Sequence, residues 1–308
     1  MAQNNIDALK SVLLTELPET RVRESERLAE HTTFKIGGPA DIFVEPVNMH
    51  ELSFVLKSIH DSGIPVTVIG CGSNILVKDG GIRGAVVSLR HMTQIKDCND
   101  GVLCVGSGFT LKEVSEFAWE QGLTGLEFAI GIPGTLGGAV FMNAGAYDGE
   151  MSYVVTEVQA VDFQGNIKHY DADQLDFSYR HSIFHDNHEV IGEVLMSLKA
   201  GDKTAIKERM DDLTERRESK QPLEFASAGS TFKRPPGYFA GTLIEQTGLK
   251  GLSVGDAQIS EKHAGFVINT GNASANDVLN LIAEVQRRVY DEHGVHLEPE
   301  VRMIGEDE

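Results

Sequence analysis

Two glycine-rich loops carry the residue types suited to holding a phosphorylated cofactor. The first follows Val66 to Ile69, which has the pattern of a short strand, and reads Gly70-Cys71-Gly72-Ser73-Asn74-Ile75. Successive main-chain amides in such a turn converge on a phosphate, and Ser73 and Asn74 add polar side chains. A Rossmann fingerprint would need a third glycine opening a helix, whereas here Ile75-Leu76-Val77 and the turn Asp79-Gly80-Gly81 follow. The Walker pattern Gly-Lys-Ser/Thr is absent. Taken alone, the first loop also reads as a plain β-turn. The second loop is more specific: Gly131-Ile132-Pro133-Gly134-Thr135-Leu136-Gly137-Gly138-Ala139 leads to Asn143-Ala144-Gly145-Ala146. Pro133 stiffens a segment whose glycines permit close approach, and the small residues after Gly137 suit a helix start against a pyrophosphate. Tight packing of a small-residue helix is the competing reading.

Other reactive side chains point to chemistry less well. Gly251-Leu252-Ser253-Val254-Gly255 matches the nucleophile elbow of serine hydrolases, with Asp256 and His263 downstream. That motif must follow a strand and open a helix, and no apolar helical stripe follows Ser253. His181, His185 and His188 have the i, i+4, i+7 spacing of one helix face, but Tyr179 to Asn187 lacks a helical stripe, so no metal site is expected. Cys71, Cys98 and Cys104 are too few and too irregular for a disulfide framework or a zinc quartet, which fits a reducing compartment.

Alternating short elements must position these loops. Ile6, Leu9, Leu13, Leu14 and Leu17 predict a helix that Pro18 stops, and Asp41 to Glu45 predicts a strand. Asn48 caps a helix with Leu52, Val55, Leu56 and Ile59 on one face, and Thr110 caps another bearing Leu111, Val114, Phe117 and Ala118. Ala85 to Leu89, Val102 to Val105, Tyr153 to Phe163 and Val190 to Leu198 read as strands, with a hairpin turn at Gln164-Gly165-Asn166. Asp202 to about Lys220 is a charged helix ended by Pro222. Ser274 caps a long helix with the stripe Val278, Leu281, Ile282, Val285 and Val289, stopped at Gly294, and a short strand around Val301 and Met303 closes the chain. The fold class is α+β.

The 308 residues carry 27 basic and 46 acidic side chains, a net charge of −19. That balance argues against general affinity for nucleic acid or anionic membrane. No apolar run approaches the length of a membrane span, and no signal-peptide pattern opens the chain, so a cytoplasmic protein is expected. Of the 32 glycines, 16 lie between Gly70 and Gly149, which concentrates the backbone freedom in the two loops and their surroundings.

The two loops resemble the FAD-binding (PCMH-type) region of the vanillyl-alcohol oxidase superfamily. Ser178-Tyr179-Arg180, Ala228-Gly229-Ser230-Thr231-Phe232-Lys233, Ala240-Gly241-Thr242-Leu243-Ile244-Glu245 and Glu300-Val301-Arg302-Met303-Ile304-Gly305 are similar, in that order, to the UDP-N-acetylenolpyruvoylglucosamine reductase (MurB) family. The direct run from Lys233-Arg234-Pro235-Pro236-Gly237-Tyr238 into the Ala240 segment resembles the shorter type, which lacks a tyrosine-bearing substrate loop. The resemblance implies an N-terminal helical segment over 1–30, two FAD-binding subdomains over 31–90 and 91–200, and a substrate-binding α+β domain over 201–308. It implies dissociable FAD rather than a thioether at Cys71, with NADPH as co-substrate.

It further implies reduction of UDP-N-acetylglucosamine enolpyruvate to UDP-N-acetylmuramate, a cytoplasmic step of peptidoglycan precursor synthesis, by a monomer. Arg180 would hold the enolpyruvyl carboxylate, Ser230 would protonate C2, and Glu300 would stand beside the carboxylate as a protonated hydrogen-bond donor. FAD would lie against Gly70, Cys71, Gly72, Ser73, Asn74 and Ile75 and against Ile132, Pro133, Gly134, Gly137, Gly138, Asn143 and Gly145. Lys220, Arg234, Tyr238 and Lys250 would take the UDP diphosphate, with Lys233 nearby. The alternatives are another FAD-dependent oxidase or dehydrogenase of the superfamily, a non-catalytic flavin-binding module, and a hydrolase using Ser253.

Overall fold

The apolar stripes fold into three separate cores, and a computed structural model describes residues 3–307. The chain divides into two compact units that alternate along it. The first comprises the chain up to Ser25, Asp41–Cys71 and Gly84–Arg216; the second comprises Glu26–Ala40, Gly72–Arg83 and the chain from Arg217 on.

In the first unit, one core joins the helix Gln3–Leu13, through Ile6, Leu9 and Leu13, to the helix Met49–Asp61, through Leu52, Val55, Leu56 and Ile59. Asn48 caps the latter as expected, its side chain accepting from Glu51 N–H. The associated sheet runs Val22–Arg27, Pro39–Val44, Ile82–Ser88, Val66–Ile69, with the last two strands parallel. The other core of this unit lies under an antiparallel sheet ordered Ile167–Asp171, Val155–Val161, Val190–Ser197, Val102–Gly106, Ile95–Asp97. Helix Leu111–Glu120 covers it, held at its start by a capping box between Thr110 and Glu113. The strand expected from Tyr153 begins only at Val155, because Met151–Tyr153 closes a 3₁₀ turn with Val154 N–H on Met151 O.

In the second unit, the antiparallel sheet Ala226–Ser230, Phe266–Asn269, Ala257–Ile259, Ser253–Val254 packs on the helices Ala240–Gln246 and Ala275–His293. The longer helix presents the expected stripe, has a Ser274–Asp277 capping box and ends at Gly294 in the left-handed conformation. Strand Arg302–Ile304 lies parallel to Ile75–Val77, so the residues after the first glycine loop anchor the C-terminal segment. The fold is α+β throughout.

Candidate active site

The first unit brings the two glycine loops together. A Cβ at Gly70 would overlap Thr135 Oγ1, so only glycine lets the first loop pass the residue that opens the second. Thr135 caps the short helix Leu136–Phe141, its Oγ1 accepting from Gly138 N–H at 3.3 Å. The amides of Leu136 and Gly137 donate to Phe109 O and Ser107 O at 2.8 and 2.9 Å. These amides are spent inside the fold, so this loop offers a ligand a surface cleared of side chains rather than those donors. Beside it Cys71 is half-buried, and burial pushes its thiol above the ordinary range, with Arg90 acting in the opposite direction. A thiol held protonated is a poor nucleophile toward a flavin, which fits dissociable cofactor. The close passage of the two loops, cleared of side chains, suits FAD.

Asn143, buried at the end of the second loop, uses its whole side chain internally. Its amide donates to Ser178 O at 3.2 Å and Glu150 Oε1 at 3.3 Å, and its Oδ1 accepts from Ser152 N–H at 3.0 Å. This ties the second loop to the turn that presents Arg180. Ser178 and His181 exchange both main-chain hydrogen bonds at 3.2 Å, leaving Tyr179 and Arg180 at the tip. Arg180 adopts φ +57°, and its guanidinium lies 5.3 Å from the Tyr179 ring centre.

The second unit assembles the rest of the first loop with Ser230 and Glu300. Gly72 takes φ +62°, and a Cβ there would stand 2.5 Å from His31 O. Asn74 donates its side-chain amide to Glu300 O at 3.3 Å, and Arg302 N–H returns to Asn74 O at 3.0 Å. Glu300 N–H donates to Thr231 O at 2.8 Å, next to Ser230 on the edge strand of the sheet. Ser230 itself is exposed. Two candidates 70 residues apart thus share one corner with Asn74 of the first glycine loop.

The basic candidates are spread over the same unit. Arg234 lies 4.0 Å from the centre of the exposed Phe239 ring, and Lys250 pairs with Glu245 at 2.7 Å. Lys233 pairs with Glu298 at 2.5 Å, while Lys220 ends its helix exposed, and Tyr238 is half-exposed. Sequence reasoning missed Thr231, whose carbonyl links Ser230 to Glu300 and whose hydroxyl accepts from Val267 N–H at 3.0 Å. Its only signal was its place between Ser230 and Phe232.

The decoys resolve differently. Ser253 lies in a hairpin, its strand turning through Gly255 into Ala257–Ile259 with no helix behind it, so the elbow geometry of a hydrolase is absent. Phe184–Asn187 does form one helical turn, contrary to the missing stripe, and the His185 ring meets Phe141 at a tilt of 31°, centroids 3.9 Å apart. Among the described residues Asp176, His181 and Asp186 place ligand atoms within 4.8 Å of one another, with both aspartates exposed.

Residues 40–171 match the model of an FAD binding domain, and residues 221–304 match that of the UDP-N-acetylenolpyruvoylglucosamine reductase C-terminal domain. The chain is 48% identical over 303 residues to UDP-N-acetylenolpyruvoylglucosamine reductase 2 of Bacillus cereus, covering 98% of this chain and 99% of that one. The chain belongs to the UDP-N-acetylenolpyruvoylglucosamine reductase family. The Clostridium perfringens reductase is 51% identical over 280 residues, covering 91% of this chain and 92% of its own. The crystal structure of the Thermus caldophilus reductase (MurB) superposes with a TM-score of 0.80 at 37% identity, over 92% of this chain and 99% of that chain. Both glycine loops past Gly70 up to Asn74 and from Gly131 to Gly145 fall inside the matched FAD binding domain, and Ser230, Arg234, Tyr238, Lys250 and Glu300 fall inside the matched C-terminal domain.

Proposed function

We propose that the chain reduces UDP-N-acetylglucosamine enolpyruvate to UDP-N-acetylmuramate with NADPH as the reductant. The observation that carries this reading is the corner where Thr231 O and the Asn74 amide hold the main chain of Glu300 beside Ser230. When bound, FAD would supply two-electron chemistry between NADPH and the enolpyruvyl double bond. The chain's own residues then handle charge and protons. Hydride addition pushes electrons toward the substrate carboxylate, and the Arg180 guanidinium neutralises that growing charge while Glu300 hydrogen-bonds to it. Ser230 Oγ gives the proton that C2 requires. Lys220, Arg234, Tyr238 and Lys250 take the diphosphate and its neighbouring groups against a net charge of −19, so local cations must outweigh an unfavourable average field.

The same reading assigns Gly70 to Ile75, Ile132 to Gly134, Gly137, Gly138, Asn143 and Gly145 to the flavin, Asn143 through the main-chain path that its side chain fixes. It places the enzyme in the cytoplasm as a monomer, working on precursors of peptidoglycan. Among the described residues no helix is long and apolar enough to cross a membrane. The test is anaerobic. NADPH should bleach the bound flavin, and the enolpyruvyl sugar nucleotide should restore its colour. An FAD-loaded protein that bleaches with NADPH but is never reoxidised by that sugar refutes the substrate assignment.

A further inference from the structure

The turn from His263 to Phe266 fixes the strand end that carries Ser230. Ser230 pairs with Phe266 beyond an irregularity that separates it from the Ser227–Ile268 pair. Thr231 N–H donates to Gly265 O at 2.8 Å, and Gly265 N–H in turn donates to His263 Nδ1 at 3.1 Å. Phe266 N–H closes the turn on His263 O at 3.0 Å, and the Phe266 ring meets the imidazole edge-on with centroids 5.0 Å apart. Ser260 Oγ accepts from the N–H groups of Lys262 and His263 at 3.2 Å each.

Room for the ring is built in. A Cβ at Gly265 would stand 3.0 Å from His263 Cε1, and one at Gly241, in the helix Ala240–Gln246, 3.4 Å from it. That helix begins directly after Lys233–Phe239, the segment with Arg234 and Tyr238. The imidazole therefore occupies space that a side chain on either the turn behind Ser230 or the helix behind the basic segment would crowd.

Because Nδ1 accepts from a main-chain N–H, it carries no proton, and the ring is neutral. Burial holds His263 below its ordinary value of 6.5, the turn's own main chain opposes that, Lys250 lowers it further and Glu245 raises it. Among the described residues, Lys250 and Glu245, paired with each other at 2.7 Å, are the charged groups that act on it.

We infer that His263 is a positioning residue for Ser230: its neutral imidazole holds the Gly265 amide, and the Gly265 carbonyl holds Thr231 and hence the adjoining serine. Protonating Nδ1 sets one donor against another, which releases the turn and weakens proton delivery to C2. This rests on the assignment of Ser230 as the acid, and it makes His263, a residue that touches no substrate, a control on that step's pH dependence.

The test compares the wild type with His263→Asn and His263→Phe. Asparagine can accept from an N–H two residues on but does not titrate, whereas phenylalanine keeps the ring without the acceptor. The rate at which the enolpyruvyl sugar reoxidises NADPH-reduced flavin is measured from pH 8 to about pH 5, across the histidine range. The wild-type rate should fall on the acid side below pH 6.5; H263N should keep most of the neutral rate and lose that acid limb; H263F should be slower by about tenfold or more at every pH. Hydrogen-exchange protection of the Gly265 amide, corrected for intrinsic rates, should fall over the same range in the wild type but not in H263N. A wild-type rate that is flat through this range, or an acid limb retained in H263N, overturns the inference. If H263F does not fold, the H263N profile and the exchange data decide it alone. Failure of the sugar to reoxidise the wild-type flavin would instead strike the proposed reaction.

Discussion

Glu300 donates its main-chain N–H to Thr231 O across 2.8 Å, and Lys233 N–H reaches Glu298 O at the same distance, with Phe232 and Pro299 bridged between them. These contacts zip two short segments together and bring Ser230 and Glu300 to one corner of the second unit. If Ser230 is the acid, removing its hydroxyl must leave flavin reduction untouched, since that half-reaction needs no proton at C2. Ser230→Ala should therefore bleach with NADPH at the wild-type rate, while reoxidation by the enolpyruvyl sugar slows by about 10²–10⁴-fold, the range for loss of a positioned acid. Stopped-flow absorbance separates the two steps. Equal reoxidation rates in variant and wild type would remove Ser230 from this role.

Gly72 offers a test of the first loop. At φ +62°, with His31 O in the way of a side chain, alanine must strain the turn or move the chain. Gly72→Ala should cost about 1–3 kcal/mol in urea unfolding and lower the flavin retained on purification. The flavin-to-protein absorbance ratio reads the second effect. A variant as stable as the wild type and fully loaded with FAD would show that the loop tolerates a side chain.

Acid should act on the first unit through Glu51. Its carboxylate accepts from both terminal guanidinium nitrogens of Arg21, at 2.5 and 3.0 Å, and also from Val47 N–H at 3.0 Å. The Arg21 hydrogen bonds, helped by that amide and opposed by burial, hold its pKa below the ordinary 4.5. A depressed carboxylate contributes stability that is present above its unfolded value and is lost as pH falls through the folded one. Urea unfolding free energy should thus decline below pH 4.5, and Glu51→Gln should remove part of that slope while costing about 1.5–3 kcal/mol at pH 7. An unchanged slope in the variant would assign the acid sensitivity to other groups.

Local signals in the sequence located most elements. Asn48, Thr110 and Ser274 each cap a helix through a side-chain oxygen that accepts from an amide three residues on, a pattern written within four residues. What joins the site is long-range and leaves no such mark. The Asn74–Glu300 hydrogen bond spans 226 residues, and Thr33 Oγ1 reaches Ser227 O across 194 at 2.7 Å. Composition likewise does not mark where the first loop passes from one unit to the other, between Cys71 and Gly72, because glycine stands on both sides. His263 was visible only as the distant member of a hydrolase pattern, since its role depends on the glycines that the fold brings against its ring.

Asn143 links the second glycine loop to Arg180 and yields a prediction with two readouts. Its buried amide group makes three hydrogen bonds, to Ser178 O, Glu150 Oε1 and the Ser152 N–H, and all three partners lie in the first unit. Asn143→Ala leaves Ser178 O and Ser152 N–H without this partner inside a packed loop, which should cost about 1–3 kcal/mol of unfolding free energy. Because Ser178 is one half of the two-way bond that presents Tyr179 and Arg180, the guanidinium loses its fixed platform. The expected kinetic result is a higher KM for the enolpyruvyl sugar, by about tenfold, with the NADPH half-reaction changed much less, since a misplaced cation weakens the grip on the carboxylate. Arg180→Lys, which keeps the charge but not the planar fork, should raise the same KM and leave stability near the wild-type value. Asn143→Ala combining lost stability with a wild-type KM would confine Asn143 to packing and break the proposed path from the glycine loop to Arg180.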